Sequence, residues 1–145
     1  MFIGEYTYSL DTKRRLGIPA KFRRSLGKKA VITKGLDNCL FLFSEKEWEK
    51  LAKRLSNFQF EKSDARGFSR FMLAGAAEVS IDSLGRILIP DYLKKHAGLK
   101  KKTIIAGISN RIEIWDETQW KSYTQKAEKG KGVEDMAERL AEVGF

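Results

Sequence analysis

The sequence repeats itself, and that duplication restricts the chain to folds in which one supersecondary unit is used twice. At an offset of 71 residues Gly4 aligns with Gly75, Tyr8 with Val79, Ser9 with Ser80, Leu10 with Ile81, Asp11 with Asp82 and Arg15 with Arg86. Ile18-Pro19 then matches Ile89-Pro90, Phe22 matches Leu93, and Leu26-Gly27 matches Ala97-Gly98. After a one-residue insertion the offset becomes 72, pairing Gly35 with Gly107, Asn38 with Asn110, Leu40 with Ile112, Leu42 with Ile114, Phe43 with Trp115 and Trp48 with Trp120. A register kept over so many positions is not compositional chance. With 145 residues, 42% hydrophobic and 11% aromatic, the chain has material for one ordinary core or two small fused ones.

Each copy reads as strand, tight turn, strand, short helix, strand, turn, strand, helix. Thr7 to Leu10 and Val79 to Ile81 lead into Asp-x-x-x-Arg, where the aspartate accepts bonds from turn amides and Gly85 tolerates a positive φ. The next apolar run, Leu16 to Ile18 or Ile87 to Ile89, stops at a proline, which suits the first turn of a helix and not a central strand. Ile18, Phe22 and Leu26, or Ile89, Leu93 and Ala97, recur at helical spacing until Gly27 or Gly98. Strands are predicted at Ala30 to Thr33 with Leu40 to Phe43, and at Thr103 to Ala106 with Arg111 to Trp115, each pair joined through a Gly and an Asn. Ser44 with Glu47, and Asp116 with Gln119, supply the N-cap and third-position residues of the helices that carry Trp48 and Trp120.

These patterns divide the chain into a first repeat over 1–55, a linker over 56–72 with a helix from about Ser63, a second repeat over 73–125, and a C-terminal segment over 126–145. In that last segment Lys126 to Gly132 reads as a hinge. Val133, Met136, Leu140 and Val143 then mark an amphipathic helix that either docks its apolar stripe on a neighbour or frays. Trp48, Trp115 and Trp120 with Phe41 and Phe43 occupy equivalent repeat positions beside aliphatic strands, which favours core packing over a base-stacking platform. Cys39, the only cysteine, excludes an intrachain disulfide and falls in an apolar run as a small buried hydrophobe. His96, also alone, follows two lysines and reads as a helix surface residue; no metal site is expected.

Charge is spread unevenly. Of the net +9, residues 1–71 carry +8 and residues 72–145 carry +1. Lys13, Arg14, Arg15, Lys21, Arg23, Arg24, Lys28 and Lys29 lie in a stretch with no acidic residue between Asp11 and Asp37, the electrostatic footprint of a polyanion partner. No apolar run approaches the roughly 20 residues of a membrane span. Met1-Phe2-Ile3-Gly4-Glu5 has neither a basic leader nor an apolar core of signal type, so a cytoplasmic location is expected.

The residues Phe2-x-Gly4-Glu5-Tyr6-x-Tyr8-Ser9-Leu10-Asp11-x-Lys13-x-Arg15-Leu16-x-Ile18-Pro19, followed by Ile81-Asp82-Ser83-Leu84-Gly85-Arg86-Ile87-Leu88-Ile89-Pro90 and by Arg111-Ile112-Glu113-Ile114-Trp115, resemble the bacterial MraZ family over residues 1 to about 125. The resemblance implies an α+β fold: a pseudo-two-fold β-barrel of two tandem AbrB-like, swapped-hairpin repeats with short flanking helices. It also implies subunits assembled into rings, and regulation of the cell-division and cell-wall gene cluster through repeated G-rich boxes upstream of its first gene. The family's motif residues fall on Asp11 and Arg15 and again on Asp82 and Arg86. One departure stands out. The first motif usually has Gly before its Arg, where this chain has Arg14, so that turn is either more tightly constrained or gains a phosphate contact.

An acid and a base flanking a hairpin turn can simply pair and pin it. In the first copy Lys13 and Arg14 adjoin Arg15, and one aspartate cannot neutralise three cations, so positive charge is left to meet DNA. Arg15, Arg14 and Lys13 are the expected main contacts, helped by Lys21, Arg23 and Arg24. The second copy has only Arg86 in its turn, which favours pairing with Asp82 and a role in structure or assembly, with DNA contact secondary. Gly85, Asp11 and Asp82 are turn residues. A metal-dependent nuclease is disfavoured because each repeat offers one Asp beside cations where two-metal chemistry needs several converging carboxylates. An antitoxin-like scaffold, with Val133 to Val143 as a partner-covering tail, is the alternative from another class. The reading is therefore a non-enzymatic, nucleoid-associated binder of duplex DNA acting as a homo-oligomer, with no cofactor, membrane or small-molecule substrate.

Overall fold

A computed structural model describes residues 1–58 and 60–145. In chain order its elements are β1 (Phe2–Ser9), β2 (Arg15–Gly17), α1 (Ala20–Leu26), β3 (Lys29–Lys34), β4 (Leu40–Ser44), α2 (Glu45–Ser56), α3 (Ser63–Ser69) with a π-helical turn (Arg70–Ala74), β5 (Ala77–Ser80), β6 (Arg86–Leu88), α4 (Asp91–Ala97), β7 (Lys102–Ser109), β8 (Arg111–Asp116), α5 (Glu117–Glu128) and α6 (Gly132–Ala141).

The two copies are interleaved. The six-stranded antiparallel sheet runs β1-β7-β8-β4-β3-β5, so the first strand of each copy pairs with the third strand of the other. Exchanging the copies reverses this order onto itself, which puts a pseudo-two-fold axis between β4 and β8, where Leu40 faces Ile114, Phe41 faces Glu113 and Leu42 faces Ile112. The remaining strands, β2 and β6, pair with each other as a separate two-stranded ribbon, tied by an isolated bridge from Leu16 to Leu10 just after β1. The swapped pairing that the resemblance implies is present. The strands leave β1 and β5 as free edges and do not join the ribbon into one closed sheet.

Side-chain alternation gives the sheet two buried faces. Ile32, Leu40, Leu42, Ile105, Ile112 and Ile114 point to one side, where Leu16 and Ile18 of the first copy and Ile87 and Ile89 of the second pack with Phe22 and Leu26 of α1 and Leu93 and Ala97 of α4. Their sequence neighbours Phe41, Phe43, Ile104 and Trp115 point to the other, under Trp48 and Leu51 of α2, Met72, and Trp120 of α5. The aromatic positions are therefore core. Helices α2 and α5 begin on the expected caps: Ser44 Oγ accepts from Glu47 N and Asp116 Oδ2 from Gln119 N. Burial first, and then the negative charges of Glu113 and Asp37, push the Cys39 thiol pKa far up, and its Sγ–H donates to the Leu36 carbonyl.

Several expectations are revised. Strand β1 starts at Phe2, well before Thr7, because β7 offers it a full-length partner. Gly107 lies inside β7 and not in a turn: a Cβ there would stand 2.5 Å from Ile3 N, so close approach of β1 requires glycine. The β7–β8 connection is instead a tight turn at Ser109 and Asn110. Helix α5 continues into the first part of the expected hinge, to Glu128. His96 is half-buried with its ring edge on Phe71, and its buried Nε2 has no hydrogen-bond partner among the described residues. No described helix is long and apolar enough to cross a membrane.

Candidate nucleic-acid interface

Both motif turns are built alike. Asp11 Oδ1 accepts from Lys13 N and Arg15 N, each at 2.8 Å, and Oδ2 accepts from Arg15 Nε at 2.8 Å. Asp82 Oδ1 accepts from Leu84 N and Arg86 N at 2.9 Å, and Oδ2 from Arg86 Nε at 3.0 Å. The main chain closes each turn through Arg14 N to Asp11 O and Gly85 N to Asp82 O. Backbone N–H donation from the arginine of each motif, ahead of its guanidinium, holds both carboxyls below the usual aspartate range. Arg15 is thus paired as fully as Arg86, and the asymmetry expected from charge does not extend to the pairing itself. In each pair the aspartate engages Nε, and no hydrogen bond among the described residues uses either arginine's Nη1 or Nη2. The carboxylate fixes the guanidinium's direction and leaves its outer donors to a ligand.

The ribbon then brings the two arginines to one surface. Arg15 faces Leu88, Leu16 faces Ile87 and Gly17 faces Arg86. Leu16 and Ile87 are buried, so alternation points the other four residues outward. Arg15 and Arg86 are diagonal neighbours on that outward face, a placement in which residues stand about 7–8 Å apart.

The departure at Arg14 has a structural reason. Arg14 holds the left-handed conformation that Gly85 holds in the second copy, with φ 60° against 75°. Its Nε donates to Ile89 O at 3.0 Å, while Arg23 Nε donates to Ile18 O at 2.8 Å. Ile18 and Ile89 are repeat equivalents, but Arg14 and Arg23 are not. Each carbonyl is bonded by whichever arginine the local sequence supplies, and Arg23 reaches its carbonyl only because Gly85 has no side chain: a Cβ there would lie 2.3 Å from Arg23 Cζ. Arg14 therefore acts first as a brace across the pseudo-axis, whereas Arg23 braces within the first copy and packs against Gly85 of the second.

Lys13 is exposed at the tip of the first turn, and Lys21 and Arg24 are exposed on α1. At the equivalent positions the second copy carries Leu84, Tyr92 and Lys95, and Lys95 pairs with Asp91 at 3.0 Å. The excess positive charge flanks the ribbon on the side of the first copy. Sequence reasoning did not single out Leu88, or Gly17, over which the Tyr8 ring lies so closely that a Cβ would meet its Cδ2 at 2.9 Å. The alternation of Leu16 and Ile87 with their neighbours was the signal that could have found them. Among the described residues no group of three or more His, Cys, Asp or Glu side chains is placed to hold a metal ion.

Fold and site together define an internally duplicated, swapped-strand α/β protein that displays a pair of aspartate-oriented arginines on a two-stranded ribbon. The family model described as "MraZ protein, putative antitoxin-like" matches the chain twice, over residues 1–71 and 72–142, and the chain belongs to that family. It is similar over its full length to proteins named "Transcriptional regulator MraZ": 49% identical to that of Acetivibrio thermocellus over 145 residues, and 46% identical to that of Alkaliphilus oremlandii over 145 residues, with all of both chains covered in each case. The protein of the same name from Natranaerobius thermophilus is 46% identical over 142 residues, 98% of each chain.

Proposed function

We propose that this chain is a sequence-specific, duplex-DNA-binding transcriptional regulator that reads guanines through Arg15 and Arg86. The observation that carries the reading is the placement of both arginines on the outward face of one ribbon, each aimed by its aspartate. The major groove of B-DNA admits a two-stranded ribbon, and an arginine with free terminal donors bonds guanine O6 and N7. A diagonal spacing of about 7–8 Å corresponds to roughly two base-pair steps of about 3.4 Å. Lys13, Lys21 and Arg24 flank the ribbon as phosphate contacts, joined by whatever donors Arg14 and Arg23 have left after bracing. The relatives' name supports the regulatory role. Arg86, assigned from charge mainly to assembly, joins Arg15 in this reading because the register puts both on the same face.

Membership of the family further supports action in the cytoplasm, at the nucleoid, on repeated G-rich boxes of the cell-division and cell-wall gene cluster, by subunits assembled into a ring. If neighbouring subunits read successive boxes on one face of the duplex, the boxes recur about every 10 bp.

Titrations of box and scrambled duplexes by fluorescence anisotropy test the reading. Arg15→Ala and Arg86→Ala should each cut the ratio of box to scrambled affinity by about 5- to 150-fold, the range for one lost bidentate base contact. Lys13→Ala should weaken both duplexes alike and flatten the slope of log affinity against log salt by about 0.9. An Arg15→Ala protein that keeps its box preference overturns the assignment.

A further inference from the structure

We infer that Leu88 is a second base-reading residue of the ribbon, one that senses the C5 methyl group of a thymine adjacent to the guanine met by Arg15. The inference rests on the DNA-binding reading above and adds a specificity determinant to it.

Leu88 lies directly opposite Arg15 and is 52% exposed on the same outward face. Its repeat equivalent is Gly17, opposite Arg86. The exchange is compensated one layer down: over Gly17 lies the ring of Tyr8, whereas the second copy has Val79 in place of Tyr8. In the first copy the bulk sits on β1 and leans across the ribbon; in the second it sits on the ribbon itself. A bare aliphatic side chain therefore projects beside Arg15 and none projects from the ribbon strand beside Arg86. Leu84, at the tip of the second turn where the first has Lys13, is exposed as well, but it lies at the Arg86 end of the ribbon and not beside Arg15.

An exposed leucine can be incidental. This one shares a surface with the two oriented guanidiniums, so a duplex engaged by both would bring base edges against it. An isobutyl group makes no hydrogen bond to a base edge, and the thymine methyl is the only apolar feature the major groove offers. Side chains facing each other across an antiparallel pair have Cβ atoms about 4.5–5.5 Å apart, which matches neighbouring base pairs better than the same one. The Leu88/Gly17 difference also breaks the two-fold symmetry of the reading surface. A symmetric ribbon would read a sequence and its reverse complement alike; this one would distinguish them.

The experiment uses the full-length protein and a duplex footprinted upstream of its own gene, with thymines replaced one at a time by uracil, which removes only the methyl. For the unaltered protein, one replacement next to a guanine should cost about 4- to 10-fold in affinity, the scale of one buried methyl. Leu88→Ala should bind the thymine and uracil duplexes equally while keeping the guanine preference that depends on Arg15. Leu88→Met, similar in volume, should retain the thymine preference and shows that loss in Leu88→Ala is not a folding defect. Equal binding of thymine and uracil by the unaltered protein at every position overturns the inference and leaves the arginine reading standing. So does a Leu88→Ala protein that keeps the thymine preference, or one whose only change is in subunit association. Absence of any box preference in the unaltered protein overturns both readings.

Discussion

Arg14 shows how one residue serves a turn and the opposite copy at once. A non-glycine residue in the left-handed region costs about 1–2 kcal/mol, and here the bond from Nε to Ile89 O, part-buried, offsets it. Replacing Arg14 by Ala keeps the strained backbone and removes the bond; replacing it by Gly removes both. Urea melts should therefore rank unaltered protein, Arg14→Gly and Arg14→Ala in falling stability, with the two variants about 1 kcal/mol apart. Equal stability of the variants would show that the left-handed conformation carries no strain here. The sequence exposed Arg14 as an anomaly, because Gly85 stands at the matching position. It could not reveal the answer, since the partner carbonyl at Ile89 lies 75 residues away and Arg23, the other brace, breaks the repeat register.

At the level of elements, local signals read well and pairings did not. Alternation, Ile-Pro stops and Ser44 or Asp116 caps located the two hairpins and four of the helices, because each depends on residues within one turn or one pleat. That β1 pairs with β7, and β5 with β3, is a non-local choice set by closing one core from two half-complete sheets. The same choice explains why Gly107 was misread: glycine suits a turn, and only the arrival of β1 makes it a strand residue. Gly107→Ala should push β1 away at Ile3 and destabilise the protein by about 1–3 kcal/mol, with early loss of amide protection in the first residues of β1 by hydrogen exchange. Unchanged protection from Phe2 to Glu5 would mean that β1 absorbs the added methyl without moving.

On the scale of the whole molecule, the sheet separates two surfaces with different work. The ribbon, α1 and α4 cover one face, and α2, the π-helical turn and α5 cover the other, so the groups proposed to meet DNA and the aromatic layer of Phe41, Phe43 and Trp115 are on opposite sides. Helix α6 belongs to neither core. It contains no buried residue, packs on α5, and leaves Val133, Met136 and Leu140 exposed as the apolar stripe its periodicity announced, while Val143, expected in the same stripe, lies exposed beyond the helix end at Ala141. Its formation was legible in the sequence; its role was not, because an apolar stripe specifies a contact without naming the surface it meets. A chain ending at Glu128 loses none of the buried side chains and none of the ribbon. Its melting temperature should stay within about 3 °C of the full chain, the shift that about 1 kcal/mol would produce, and its affinity for a single box should be unchanged. Any change should appear in subunit association, read by light scattering. A larger fall in melting temperature, with mass unaltered, would place α6 in the stabilising core of its own chain, against the exposure of its stripe.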